Sequence, residues 1–309
     1  VQSVTDSMFA TEPYKKREAL FDVFFFPIAS PQEGVAGGKN PFGVVVPPDN
    51  IFDISQEGNR RLENLVYSAF PDYEPRKDQI VFLVNTQGTS VNRGAVSFVS
   101  THITKFGKPV IDVIRRVIHE AGGHGIGGAW DQYYSTYALS ILDSFGDPFP
   151  DWVFNVEKMR VEDVRRDKIR WRRHIHPETQ IPTPRFRDPN DLFSINLGVV
   201  GFFALHSQIS TPYWIPQMDC IMGSTNYGYF CPVCQEGIDQ RILLTTSLGR
   251  RLPGDFNEDR VVDFADFFAF ADGFGKKRGG PKYEEKYDLD RDGEVGFTDF
   301  FIFAESFGK

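Results

Sequence analysis

The sequence predicts a layered α/β (or α+β) domain followed by a small all-α domain. Up to about residue 246, apolar runs of strand length are interspersed with helical patterns. Beyond it the chain repeats itself: DFNEDRVVDFADFFAFADGFGK from Asp255 returns as DLDRDGEVGFTDFFIFAESFGK from Asp288, and two copies of one unit make a small domain. SLGRRLPG at 247–254, with Pro, Gly and paired Arg, reads as the connector. The division is therefore 1–246, 247–254 and 255–309.

In the larger domain, FDVFFFPIAS at 21–30, QIVFLVNT at 79–86 and AVSFVSTHI at 95–103 are apolar, β-branched or aromatic runs bounded by turn residues, and they predict strands. EGNRRLENLVYSAF at 57–70 sets Leu62, Leu65, Val66 and Phe70 on one helical face, and PVIDVIRRVIHEA at 109–121 repeats apolar residues with the same period. The stretch from about 150 to 215 is rich in Pro and aromatic residues, with a charged helix expected near 156–173. Its basic run RRDKIRWRRHIH at 165–176 is interrupted or preceded by acids at 157, 162, 163 and 167, which reads as a solvated helix face.

With 309 residues and 41% apolar content the chain can fill a core. The excess of 42 acidic over 34 basic residues gives a net charge of -8, which argues against nucleic acid or an anionic membrane surface as partner. The longest apolar run, LGVVGFFAL at 197–205, falls well short of the ~20 residues of a membrane span. The chain begins at Val1 without Met, and a removed secretion signal is the expectation.

VIHEAGGHGIGGAWDQYY at 117–134 poses the chemical question. An HExxH metallopeptidase sets two histidines on one helical face with a glutamate between them, yet here three residues separate Glu120 from His124. In a regular helix, residues four apart lie about 40° apart around the axis and residues five apart about 140°, so His119 and His124 would not face one metal. Ala121-Gly122-Gly123 is a poor helix interior, and paired glycines permit a π-bulge or a break that absorbs the extra residue. The helix should therefore bulge or end around Gly122-Gly123, so that His119 and His124 converge with Asp131 within reach. A regular helix through this stretch would remove the metal site.

FATEPYKKREALFDVFFFPIASPQEG at 9–34, FLVNT at 82–86, VIHEAGGHGIGGAWDQY at 117–133, and DCIMG with FCPVC at 219–234 together resemble the IgA-peptidase family of zinc metallopeptidases, over nearly the whole chain to about residue 240. The family's usual run is HExGHxxGGLxDEY, and a branch of it resembles this chain in carrying HEAGGH. The resemblance implies a zincin fold of the metzincin kind, with a mixed twisted sheet, an active-site helix and a methionine turn beneath one catalytic zinc. It implies His119, His124 and Asp131 as zinc ligands, Glu120 as the catalytic base and Met222 as the turn methionine. In the metzincin pattern the third ligand sits where this chain has Trp130, which cannot ligate. Asp131 is one further on, as in the peptidase family, and Gln132 stands where that family has Glu. His206 is a further residue that could approach the metal, with a packed core histidine as its simpler reading. Tyr133 or Tyr134 could steady an oxyanion, with packing as the simpler role. The expected activity is secreted zinc endopeptidase chemistry on protein or glycoprotein substrates, with Glu120 moving the proton of a zinc-activated water.

Cys220, Cys231 and Cys234 permit one disulfide and a leftover thiol, or a metal clip lacking a fourth ligand. The expectation is a disulfide from Cys220 to Cys231 or Cys234 that pins the turn carrying Met222, which belongs to an oxidising compartment.

The C-terminal repeat places oxygen ligands at the positions of a calcium loop twice. In the first loop these are Asp255, Asn257, Asp259, the Val261 carbonyl, Asp263 and Asp266. In the second they are Asp288, Asp290, Asp292, the Glu294 carbonyl, Gly296 and Asp299. Aspartate closes each loop in place of the usual glutamate. Gly293 occupies the sharp turn of the second loop and Arg260 that of the first, so weaker calcium binding or strain is expected in the first. Up to two structural Ca2+ ions, and order only when they are bound, are expected. Paired loops each followed by a helix resemble a type I dockerin, an EF-hand-like module that joins secreted enzymes to cohesin domains. Phe264-Ala265 and Phe297-Thr298 stand where the cellulosomal form carries Ser-Thr. Eleven of the 30 phenylalanines lie in this tail, which implies docking on a cohesin-like partner or on the catalytic domain. The competing expectation is a non-catalytic adhesion or assembly protein with a degraded histidine site; the retained His119, Glu120, His124 and Asp131 favour the enzyme.

Overall fold

The computed structural model describes residues 2–28, 40–47, 50–75, 77–86, 88–101, 109–133, 135–188, 190–191, 193–206, 212–249, 254–257, 262–290 and 292–308. The chain forms two compact units, Val1–Ile242 and Leu243–Lys309.

In the first unit, helices α1 (Gln2–Phe9) and α2 (Tyr14–Arg17) precede a short antiparallel pair, β1 (Val44–Val45) and β2 (Asp53–Ile54). Helix α3 (Gln56–Ala69) starts where the Ser55 hydroxyl accepts the Gly58 N–H at 3.0 Å, an N-cap that satisfies one of the first-turn donors. Strands β3 (Ile80–Val84), β4 (Val91–Arg93) and β5 (Val96–Ser100) make a mixed sheet ordered β3-β5-β4, with β5 parallel to β3 and antiparallel to β4. Alternation along β5 divides its two faces. Val96 and Phe98 pack with Leu62 of α3, Phe42, Val44 and Phe52. Val99 packs with Val117 and Ala121 on the other side. That second contact seats α4 (Pro109–Val117), which runs directly into a π-helical stretch, Ile118–Ile126.

Helix α5 (Thr136–Ser144) is followed by a second sheet of β6 (Glu157–Lys158), β7 (Phe203–Ala204) and β8 (Tyr213–Ile215), ordered β6-β8-β7 and antiparallel throughout. The largest core joins Tyr14, Ile118, Trp171, Phe202, Met222 and Phe230 with the inner face of α6 (Pro232–Gly249).

Three expectations are corrected. Residues 21–28 form no strand: Val23, Phe24, Phe25 and Phe26 are exposed, and none of the described residues supplies the ladder hydrogen bonds that a strand needs. Residues 156–173 form no long helix but β6 and isolated 3-10 turns at Val161–Asp163, Arg166–Lys168 and Arg172–His174. The reason is visible in the side chains, because Ile169 and Trp171 are both buried at a spacing of two and Arg170 donates to the Pro150 and Val153 carbonyls. An arginine satisfying loop carbonyls one by one is a packed irregular segment, not a solvated helix face. Finally, α6 continues to Gly249, into the stretch read as a connector, and the units divide at Ile242 rather than at 246.

In the second unit, α7 (Phe264–Gly273) and α8 (Phe297–Ser306) carry the repeat. Phe270 and Phe303, equivalent residues of the two copies, stack at 5.6 Å with planes 6° apart, and Phe256 stacks on both.

Candidate metal centre

The π-helical stretch resolves the spacing problem of the two histidines. Its hydrogen bonds reach one residue further back than in an α-helix, as where the Gly127 N–H donates to the Gly122 carbonyl at 2.9 Å, so residues five apart stack. His119 and His124 meet with ring centroids 4.8 Å apart. Local sequence permits the bulge and tertiary packing fixes it. Tyr14 lies over Gly122, and its hydroxyl donates to the Gly122 carbonyl at 2.5 Å. A Cβ on Gly123 would overlap the Met222 sulfur, so only glycine lets the turn at 220–223 approach this closely.

Asp131 comes from the segment leaving the bulge. That segment is clamped by the fully buried Asn155, whose side chain accepts the Trp130 N–H at 2.9 Å and donates to the Trp130 carbonyl at 2.7 Å. Oδ1 of Asp131 lies 3.2 Å from Nε2 of His119 and 3.2 Å from Nε2 of His124. His119 Nδ1 donates to the Ile221 carbonyl at 2.9 Å and His124 Nδ1 to the Ala129 carbonyl at 2.7 Å. Those carbonyls fix one proton of each ring on Nδ1 and leave Nε2, facing the aspartate, as the nitrogen that takes a further proton or a metal. Asp131 Oδ1 is buried with no hydrogen-bond donor. Three lone-pair donors pointing at one another repel unless a proton or a cation lies between them. Their 3.2 Å spacing is close to the edge of about 3.3 Å that tetrahedral zinc imposes on N and O ligands.

Electrostatics agree. Burial works against a charged His124, but the Asp131 carboxylate outweighs it and holds the imidazole up to about 9. Burial likewise opposes ionisation of Asp131, and the two histidines reverse that and hold its carboxyl well below the usual range. Glu120, buried beside both rings, is pushed up by burial, against His119 and His124 and against a hydrogen bond from the Asn92 main chain on β4. Tyr133 stands 6.5 Å from His119, and burial together with the Asp131 carboxylate raises its phenol. Tyr134 lies outside the described residues. His206 does not join the group of His119, Glu120 and His124. Asn155 and Asn92 carry no motif and nothing in the sequence marked them; Tyr14 lies within the run at 9–34, which assigned it no role.

The cysteines correct an expectation. All three are buried free thiols, with Cys220 and Cys234 sulfurs 3.7 Å apart, too far for the ~2.05 Å of a disulfide. Met222 lies fully buried two residues after Cys220.

In the second unit, carboxylate oxygens of Asp288, Asp290 and Asp299 gather within 4.8 Å of one another. Asp299 Oδ1 accepts the Leu289 and Asp290 N–H groups at 2.6 and 3.0 Å. Asp266 does the same in the first loop, accepting from Phe256 and Asn257 at 2.7 and 3.1 Å. The closing aspartate thus ties each loop's start to its end. Gly293 takes φ +94°, the left-handed turn expected of it. Asp292 and Glu294 follow the chain of turn hydrogen bonds, Asp292 Oδ1 accepting the Glu294 N–H at 2.8 Å. Asp263 and Gly296 become the N-caps of α7 and α8. Asp259, Arg260 and Val261 lie outside the described residues.

No protein family and no curated protein matches the chain. Among solved structures, the type II cohesin-dockerin domain from Bacteroides cellolosolvens matches 19% of this chain and 88% of that chain at 41% identity, with a TM-score of 0.17.

Proposed function

We propose that the chain is a secreted zinc-dependent endopeptidase acting on protein or glycoprotein substrates. The observation that carries this reading is the convergence of His119 Nε2, His124 Nε2 and Asp131 Oδ1, each aimed by a backbone or histidine neighbour, with Glu120 buried alongside. These three residues would hold the zinc, with Met222 packed beneath them. When bound, zinc supplies Lewis acidity to the scissile carbonyl and lowers the pKa of water toward ~7. Glu120, raised by burial, is suited to take the proton of the attacking water and return it to the departing amine nitrogen. Tyr133, kept protonated, is an available donor to the developing oxyanion. In Glu120→Ala, zinc should stay bound at one ion per site while peptide hydrolysis falls by about 100-fold or more. A wild-type protein that binds no zinc and cleaves no peptide would sink the reading.

For the second unit we propose a calcium-dependent, dockerin-like module with a cohesin-type partner. Phe264 and Phe268, and their repeat equivalents Phe297 and Phe301, are all more than half exposed on α7 and α8, which supports a docking role. Calorimetry of the full chain against a cohesin, with and without calcium, tests it.

A further inference from the structure

The buried thiols have no part in the reading above. We infer that Cys220, Cys231 and Cys234 form a second metal centre, a thiolate site for a d10 divalent ion of the zinc class, with the Gln132 amide as its fourth donor. One ligand atom from each cysteine lies within 4.8 Å of the others, and the Cys220–Cys234 separation of 3.7 Å is close to the edge of about 3.8 Å for tetrahedral zinc with sulfur ligands. Cys231 and Cys234 have the C-x-x-C spacing that presents two sulfurs to one ion at the start of α6, and Cys220 comes from the turn preceding Met222.

Hydrogen-bond donors reach two of the sulfurs. The Cys231 N–H donates to Cys220 sulfur at 3.3 Å and the Gln132 amide reaches Cys234 sulfur at 3.2 Å. Burial pushes the Cys220 and Cys234 thiols well up, whereas at Cys231 burial is outweighed by hydrogen bonds from Cys220 and Cys234, which hold the thiol well below its ordinary value. The α6 N-terminus adds a favourable dipole.

Gln132 supplies the second, independent observation. It is 3% exposed, and its Oε1 is buried with no hydrogen-bond partner. Its Nε2 meets the Cys234 sulfur at 3.2 Å and, at 3.5 Å, the Asn155 carbonyl; a half-turn of the amide gives up that long second contact and sets the oxygen beside the sulfurs, which completes four donors. A carboxylate at 132 would add a fourth negative charge beside three thiolates; the neutral amide does not. Gln132 also donates its main-chain N–H to the Met222 carbonyl at 2.8 Å and directly follows Asp131. An ion here fastens the Asp131 segment, the Met222 turn and α6 to one point. Binding releases the thiol protons to solvent and involves no change of oxidation state.

The test uses the full chain, purified without reductant or chelator and reconstituted with cobalt(II). Thiolate-to-cobalt charge-transfer absorption in the near ultraviolet is expected in the wild type and, undiminished, in His119→Ala/His124→Ala, which removes only the nitrogen and oxygen site. Cys231→Ser should lose the band and one bound ion. The double histidine variant keeps the test decisive should Cys231→Ser fail to fold, and it separates this inference from the peptidase reading. A wild type with a single titratable thiol after denaturation, reporting a disulfide, would overturn it. So would three thiols with no cobalt band.

Discussion

The histidine centre and the second calcium-type loop both gather ligands around a point, but they are built on different scales. The loop is local: Asp288, Asp290 and Asp299 are held by hydrogen bonds to amides within the same short run. The histidine centre draws its aim from far along the chain, with the Ile221 carbonyl orienting His119, Asn155 clamping the Asp131 segment and Tyr14 closing on Gly122. A cluster of the first kind depends on its own loop. One of the second kind can be broken from a distance.

The largest effect that tests this difference comes from Asp131→Ala. Removing the third donor leaves two histidines and should weaken zinc more than about 100-fold, beyond the usual loss for a residue outside the ligand set. Calcium affinity of the second unit should not change. Titration of both ions on one preparation checks the two halves together.

Next come two glycines that are required for different reasons. Gly123→Ala inserts a methyl against the buried Met222 and Phe230, and overpacking of that kind costs about 1–3 kcal/mol. Zinc affinity should fall with it, since the bulge and the turn beneath it must separate. Gly293→Ala meets no close atom except the Arg278 Cβ at 3.8 Å, and its cost is the left-handed φ of +94°, about 1 kcal/mol. Denaturant melts of each variant would break the comparison if Gly293→Ala disturbed zinc or if Gly123→Ala left it intact.

How much was legible follows the same division of scale. The gathering of Asp288, Asp290 and Asp299 was readable because a calcium loop is a spacing rule, repeated here in two copies. The bulge was readable as a contradiction: two histidines at the wrong helical spacing around paired glycines. The strands β3 and β5 were readable as apolar, β-branched runs bounded by turn residues, and helix α3 from its period. Asn155 was not, because a lone Asn acquires its role only when a distant backbone arrives, and for the same reason the role of Tyr14 was not, although it lies inside the run at 9–34. The charged stretch at 156–173 misled for the same reason, its arginines being committed to loop carbonyls that no periodicity reveals. The segment 21–28 misled because apolar character is not sufficient for a strand that has no pairing partner.

A pH titration sharpens the contrast at about tenfold per unit. In the metal-free protein the Asp131 carboxylate, against burial, holds His124 up to about 9, so near neutrality a proton occupies the place between them. Zinc must displace it, and affinity should fall about tenfold for each pH unit below 9 where a single proton is exchanged. The stability sign is separate. A raised histidine stabilises the folded, metal-free unit fully below its unfolded value of about 6.5 and loses that contribution as pH rises through 9. The depressed Asp131 contributes above about 3.9 and loses it as pH falls. Calorimetry in buffers of different ionisation enthalpy counts the proton directly, and zinc binding near neutrality that released none would contradict a proton held between His124 and Asp131.

The smallest effect is the most selective, because a tyrosine hydroxyl bonds into the frame of each centre. Tyr14 is fully buried and donates to the Gly122 carbonyl, which also accepts the Gly127 N–H of the bulge. Tyr283 is partly exposed and donates to Asp288 Oδ2 at 2.5 Å, an oxygen that also accepts the Gly293 N–H at 3.0 Å. Neither acceptor is left bare when the hydroxyl goes, so each Phe variant should cost no more than about 1 kcal/mol. The costs should divide by environment: Tyr14→Phe empties a site that water cannot refill and should weaken zinc along with stability. Tyr283→Phe opens its acceptor to solvent and should leave calcium affinity within about twofold. If the two variants proved equal, the distinction between a centre aimed by remote packing and a loop that aims itself would not hold at the level of single hydrogen bonds.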